Sequence, residues 1–254
     1  MAETKQGDAR FQDAPAQSYA WLRAWLPKWS QPILRGLRKR YALRKLDLPE
    51  PYRSIYPFSQ GSWFRQENLV RLARLVEERK LDGAIVECGV LDGGASALMA
   101  SQTTGSGRAV HLFDAWQGLP ETTAEDGKAS EAWVSQVVGS PRRVRAAMRA
   151  VNVDPSRLHF HKGWFSDTFP HAQHIDRVAL LHIDCDFYEP TRLVLETWAD
   201  RIVPGGFVQF DDYSEFVGGR IAIDEWLATR PDLSLAVHGI PGQGEAYYVE
   251  FPSR

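Results

Sequence analysis

The chain has 254 residues, 44% hydrophobic and 24% charged, with a formal net charge of -2, which describes a soluble globular protein of one α/β domain or one with a small appendage. No apolar run approaches the roughly 20 residues of a spanning helix and no charged, apolar, small-residue leader is present, so the cytoplasm is the expected location. Cys88 and Cys185 are the only cysteines and lie in strand-like runs, which predicts buried thiols in a reducing compartment rather than a disulfide framework.

Residues 1–17 are polar, small and Pro/Gln-bearing, the composition of a disordered start. Residues 18–60 form a basic, aromatic arm or lid. Between Ala14 and Leu46 there is no acid, and Arg23, Lys28, Arg35, Arg38, Lys39, Arg40, Arg44 and Lys45 alternate with Trp21, Trp25, Trp29, Ile33, Leu34, Leu37 and Tyr41. The rest of the chain is correspondingly acidic. Two readings fit the arm. It packs on its own domain or on a second subunit of a homodimer, with the cations solvated. Alternatively, residues 19–46 make a peripheral contact with an anionic membrane on its inner face, where indoles favour the headgroup zone. No DNA- or RNA-binding motif accompanies the charge, so no nucleic acid partner is expected.

Residues 61–254 read as the main α/β domain. Pro51 to Gln60, just ahead of it, is turn-rich and aromatic, like a lid or linker. Leu69, Leu72, Ala73 and Val76 recur at helical spacing, predicting a helix from Gln66 to Lys80. Ala84 to Val86 suits a first buried strand, with Glu87 at its carboxyl end, where open α/β sheets bind ligands. Gly89, Gly93 and Gly94 crowd the turn into a helix from Ala95 to Ala100, where a Cβ would collide with a ligand. The spacing is not GxGxxG, which argues against a nicotinamide cofactor. A second strand, Ala109 to Phe113, ends in Asp114, an acid placed to accept both hydroxyls of a ribose. Trp116 to Thr122 reads as an ordered turn and the polar run to Ala129 as a mobile flap. A helix from Val144 to Val151 and a strand from Leu158 to His161 follow. Trp164 and Phe165 in the next loop either sandwich an adenine or plug the core. His159, His161, His171, His174 and His182 show no joint ligand spacing and read as structural.

Val178 to Ile183 is a strongly apolar fourth strand whose alternation puts Asp184 and Asp186 on one side at the ligand end. After a helix over Thr191 to Trp198 and its termination at Val203 to Gly206, the fifth strand, Phe207 to Phe210, also ends in acids, Asp211 and Asp212. Carboxylates that close repel unless a cation or shared proton intervenes, and a hard divalent ion, Mg²⁺ best, meets that need; loop capping is the alternative. A helix from Arg220 to Leu227, a sixth strand from Leu233 to Val237 and a turn at Gly239 to Gly244 lead into Ala246 to Phe251. This terminal hairpin predicts a Rossmann-like, seven-stranded, mostly parallel sheet with an antiparallel last strand.

Four motifs in this order, VECGVLDGGAS (86–96), FDAWQGLP (113–120), HIDCDFYEPT (182–191) and GGFVQFDDYSEFVGGRIAIDE (205–225), resemble the macrocin O-methyltransferase family, whose members methylate deoxysugars of macrolide and aminocoumarin antibiotics. The resemblance runs from about Gly83 to the C-terminus and does not reach residues 1–60. It implies a class I methyltransferase fold, S-adenosylmethionine as methyl donor, and Mg²⁺-dependent transfer to a hydroxyl of a sugar, glycosylated natural product or glycan. Carried onto this chain, Glu87, Gly89 and Ser96 line the methionine end, Asp114 holds the ribose, and Trp164, Phe165 and Ser166 lie near the adenine. Asp184, Asp211 and Asp212 match the metal ligands, and Asp186 matches the general base. The residue types suit the chemistry: a bound metal lowers the hydroxyl's pKa and a carboxylate removes the proton. Metal-dependent catechol methyltransferases often place a lysine three residues after the first metal Asp, where this chain has Phe187. That departure favours an aliphatic hydroxyl over a phenol. The rival expectations are an Fe(II) hydroxylase-like relative and a non-catalytic scaffold held at the membrane by the arm.

Overall fold

The computed structural model of the chain describes residues 27, 30–240 and 244–253. The expected disordered start and the first part of the basic arm lie outside them. Seven strands, β1 (Ala84–Cys88), β2 (Val110–Asp114), β3 (Leu158–Lys162), β4 (Val178–Ile183), β5 (Ile202–Phe210), β6 (Ala236–Ile240) and β7 (Gly244–Glu250), form one sheet. The order is β3-β2-β1-β4-β5-β7-β6, with β7 antiparallel to both of its neighbours and the other strands parallel. Every position of β1 and β4 is buried. That is why Ala84 to Val86 and Val178 to Leu181 read as unbroken apolar runs: a central parallel strand is covered on both faces.

The helices are α1 (Gln31–Leu43), α2 (Trp63–Glu78), α3 (Gly94–Gln102), α4 (Pro141–Ala150), α5 (Tyr188–Trp198) and α6 (Val217–Ala228). One face of the sheet is covered by Leu69, Leu72 and Val76 of α2, Leu98 of α3 and Val144 of α4. The other is covered by Val194 and Trp198 of α5 and Ile223 of α6. Each fully buried side chain of this kind contributes roughly 1.5–3 kcal/mol over leaving it in water. Cys88 and Cys185 are both buried and unpaired.

Several boundaries differ from the sequence reading. The expected lid or linker contains two short helical turns, Tyr52–Ile55 and Tyr56–Phe58, whose Ile55, Tyr56 and Phe58 are buried. The expected flap is ordered. Thr123 and Asp126 form a capping box, and the buried Asp126 also accepts the Tyr188 backbone N–H at 2.7 Å, tying the loop to the start of α5. Val203 to Gly206 belongs to β5 rather than ending the preceding helix, and the sixth strand starts three residues late, at Ala236.

The parallel register of β2 and β3 gathers histidines that are scattered in sequence, pairing His111 with His159 and Phe113 with His161. His111 Nδ1 lies 3.1 Å from His161 Nε2. Burial, with His159, His161 and His174 around it, pushes His111 down to about 3. Folded His111 therefore stays neutral where the unfolded imidazole, with a reference pKa near 6.5, takes a proton. Both states are neutral above that pH, and below it the unfolded chain binds more protons, so stability falls as pH falls. Denaturant unfolding is expected to lose ~1–2 kcal/mol to this residue between pH 6.5 and 5, a loss that His111→Asn removes. An unchanged slope in the variant would refute it.

Candidate active site

The chain leaves β1 toward one edge of the sheet and returns at β4 toward the other, so the carboxyl ends of β1 and β4 flank a topological switch point, the usual ligand crevice of such sheets. The two ends touch: the Asp184 N–H donates to the Cys88 carbonyl at 2.9 Å. Gly89 makes the approach fit, since at φ +89° a Cβ would lie 1.7 Å from the Asp184 carbonyl oxygen. The following turn is held by carboxylates. Asp114 Oδ2 accepts the N–H of Val90 and of Leu91 at 2.8 Å each, and its Oδ1 accepts the Trp116 N–H. Of about four acceptor positions on a carboxylate, three are thus used, so a ribose hydroxyl finds room for one hydrogen bond there. Asp92, fully buried, lies 2.8 Å from Arg35 of α1 and 2.9 Å from Arg143 of α4.

A second chain of charges runs beneath the strand ends. Glu87 Oε1 is 2.9 Å from His182 Nδ1, and His182 Nε2 is 3.4 Å from Asp211 Oδ1. Asp211 Oδ2 is 3.2 Å from Arg65, which also meets Glu215 at 2.6 Å. Burial disfavours a charged His182, but the hydrogen bonds and charges of Asp211 and Glu87 outweigh it and push it up to about 9. Burial would likewise raise the Asp211 carboxyl, yet Arg65 and His182 hold it below the usual range.

Asp184, Asp186 and Asp212 each present an oxygen within 4.8 Å of the others. Asp186 takes a left-handed backbone at φ +62°, and its N–H donates to Asp212 Oδ2 at 3.1 Å. Burial and the neighbouring acids push Asp184 and Asp186 well above the ordinary carboxylate pKa and Asp212 up to about 7. The grouping differs from the expected one: Asp186 stands with Asp184 and Asp212, while both oxygens of Asp211 are engaged by Arg65 and His182.

Ser96 is fully buried in α3, and neither its Oγ nor Glu87 Oε2 has a hydrogen-bond partner among the described residues. Past Gly163, whose N–H donates to the Asp114 carbonyl, Trp164 is 38% exposed. Phe165, partly buried, stacks on Phe169 at 5.0 Å against the core, and Ser166 is exposed on the same turn. Arg65, Asp92 and the pairing role of His182 are additions to the sequence reading. None of the three left a signal within one segment: His182 comes opposite Glu87 only through the register of β4 on β1.

This sheet order is that of the class I O-methyltransferases. The solved O-methyltransferase NovP is similar with a TM-score of 0.68 and 30% identity, over 78% of this chain and 83% of that one. The calicheamicin methyltransferase CalS11 shares the fold, with a TM-score of 0.64 and 19% identity over 94% and 98%. In sequence, the chain is 33% identical over 173 residues to a demethyldecarbamoylnovobiocin O-methyltransferase of Streptomyces niveus, covering 65% of each. It is also 33% identical over 158 residues to an 8-demethyl-8-(2,3-dimethoxy-alpha-L-rhamnosyl)-tetracenomycin-C 4'-O-methyltransferase of Streptomyces olivaceus, covering 59% of this chain and 60% of that one. The chain thus spans just under two thirds of the length of these two relatives. Residues 61–242 match the family described as Macrocin-O-methyltransferase (TylF). The chain belongs to the macrocin O-methyltransferase family.

Proposed function

We propose that the protein is an S-adenosylmethionine- and Mg²⁺-dependent O-methyltransferase acting on a hydroxyl of a sugar or glycosylated small molecule. The observation that carries this reading is the convergence of Asp184, Asp186 and Asp212 within 4.8 Å beside the Gly-rich turn. Three hard oxygen donors whose mutual repulsion a cation relieves fit Mg²⁺. The donor's fit rests on the buried Glu87 Oε2 and Ser96 Oγ, which have no hydrogen-bond partner among the described residues. Iron is a poorer fit: it commonly takes two His and one carboxylate, and both nitrogens of His182 already face Glu87 and Asp211.

When bound, S-adenosylmethionine supplies an electrophilic methyl group and Mg²⁺ lowers the pKa of the acceptor hydroxyl. Glu87, Gly89 and Ser96 hold the methionine end and Asp114 the ribose, with Trp164 the exposed aromatic on the adenine side. Asp184 and Asp212 hold the metal. Asp211, whose two oxygens each accept one contact from Arg65 or His182, keeps lone pairs with which it would join them. Asp186 takes the proton from the hydroxyl as the methyl group moves. The sugar acceptor is supported by the rhamnosyl substrate in the name of the Streptomyces olivaceus relative.

Calorimetric titration of chelator-treated protein tests the assignment. Saturable binding is expected for S-adenosylmethionine and, separately, for Mg²⁺, followed by methyl transfer to members of a glycosylated acceptor panel. A folded protein that fails to bind S-adenosylmethionine would sink it.

A further inference from the structure

Helix α1 is laid on the domain with its polar side inward. Its buried residues are Pro32, Gly36 and Lys39. Lys39 donates to the Ser59 carbonyl and sits 5.0 Å from the Tyr56 ring centroid, while Arg35 reaches Asp92. The apolar side chains face out: Ile33, Leu34, Leu37 and Tyr41 are 51%, 45%, 59% and 62% exposed. An amphipathic helix that packs on a core has the opposite orientation. At about 100° per residue, these four fall within one arc of about 100°, with Arg40 on one border and Arg44 and Lys45 in the turn that follows the helix. Arg40, Arg44 and Lys45 are exposed, and Arg44 and Lys45 each lie 5.9 Å from the Tyr41 ring.

We infer that the outer face of α1 docks the protein on an anionic phospholipid surface. The helix lies in the membrane plane, its four apolar side chains at the boundary between headgroups and acyl chains and its cations on lipid phosphates. An apolar arc bordered by snorkelling cations is what an interfacial helix needs, and the cations select a negative surface. Charge complementarity separates this occupant from the others. A second copy paired across the same face would set these cations against each other, because α1 holds no acidic residue. Residues 14–29, just ahead of the helix, add Arg23 and Lys28 and no acid, so they bring no matching charge either. The contact is peripheral, since no helix among the described residues is long and apolar enough to cross a membrane. The inference stands independently of the methyl-transfer reading.

Flotation of the full-length protein with vesicles of phosphatidylcholine alone, and of phosphatidylcholine with phosphatidylglycerol, tests it. Binding is expected to rise at least tenfold with the anionic lipid and to fall with salt. Replacing Arg40, Arg44 and Lys45 by Gln should cost roughly a hundredfold, at about fivefold per cation. The Leu34→Glu/Leu37→Glu double variant should lose at least tenfold while keeping its melting temperature, because both side chains are already exposed. Absence of binding to anionic vesicles, or equal binding by the double variant, overturns the inference. So does a dimer in light scattering that the double variant dissociates, which would make the face a contact between copies.

Discussion

If the proposed Mg²⁺-dependent reaction holds, Asp184→Asn is expected to lower methyl transfer by about 10³-fold, the several kcal/mol a Lewis acid contributes at a developing alkoxide, in a protein that stays folded. Asp184 is one of three acids whose oxygens lie within 4.8 Å. Without a cation their repulsion is a cost, so removing one charge should raise the melting temperature of the metal-free protein while abolishing tight Mg²⁺ binding. Asp211 provides the contrast. Its partners Arg65 and His182 are buried, and Asp211→Asn leaves them without their shared counter-charge, a loss of ~3–5 kcal/mol. Kinetics, Mg²⁺ titration and thermal melts of the two variants separate the roles. Near-normal turnover in Asp184→Asn would remove this carboxylate from the mechanism.

Gly89→Ala is expected to be the most damaging single change in the turn. The added Cβ would lie 1.7 Å from the Asp184 carbonyl oxygen, and the residue would be held at φ +89°. The backbone conformation alone costs ~1–2 kcal/mol for an L side chain, and separating β1 from β4 adds more. A total of ~4 kcal/mol lowers the melting temperature by about 10 °C in a domain of this size and opens the crevice where the methyl donor is proposed to bind. Gly107→Ala isolates the conformational part, because φ there is +64° with no atom within 4 Å. A Gly89→Ala protein that melts no lower than Gly107→Ala would show that the strand ends have room to part.

The parts of the site that were legible in sequence are those carried by local pattern. Val178 to Ile183 announces a central strand because every residue but His182 is apolar, and the acids that follow it and β5 stand out against that background. The partners of those acids were not legible. Arg65 and Asp211 are 146 positions apart, and Arg65 sits in the first turn of α2, ahead of the apolar periodicity that marks the helix. His182 meets Glu87 through strand register, which no spacing within one segment reveals. Tyr52 to Phe58 looked like a linker because aromatic residues between prolines carry no periodicity, although Tyr56 and Phe58 are buried. In the expected flap, Thr123 and Asp126 carried the capping signal, and the polarity of their neighbours hid it.

The pairing of Asp92 with Arg35 and Arg143 bears on where this protein, as a working unit, begins. The family match starts at residue 61, yet one of the two cations beside a wholly buried carboxylate comes from α1, far ahead of that boundary. A fragment cut at the boundary keeps the sheet and its acids but leaves Asp92 with a single partner, in the turn that shapes the crevice. Arg35 is therefore structural to that turn, and a substitution there would reach the crevice without altering any residue of the four motifs.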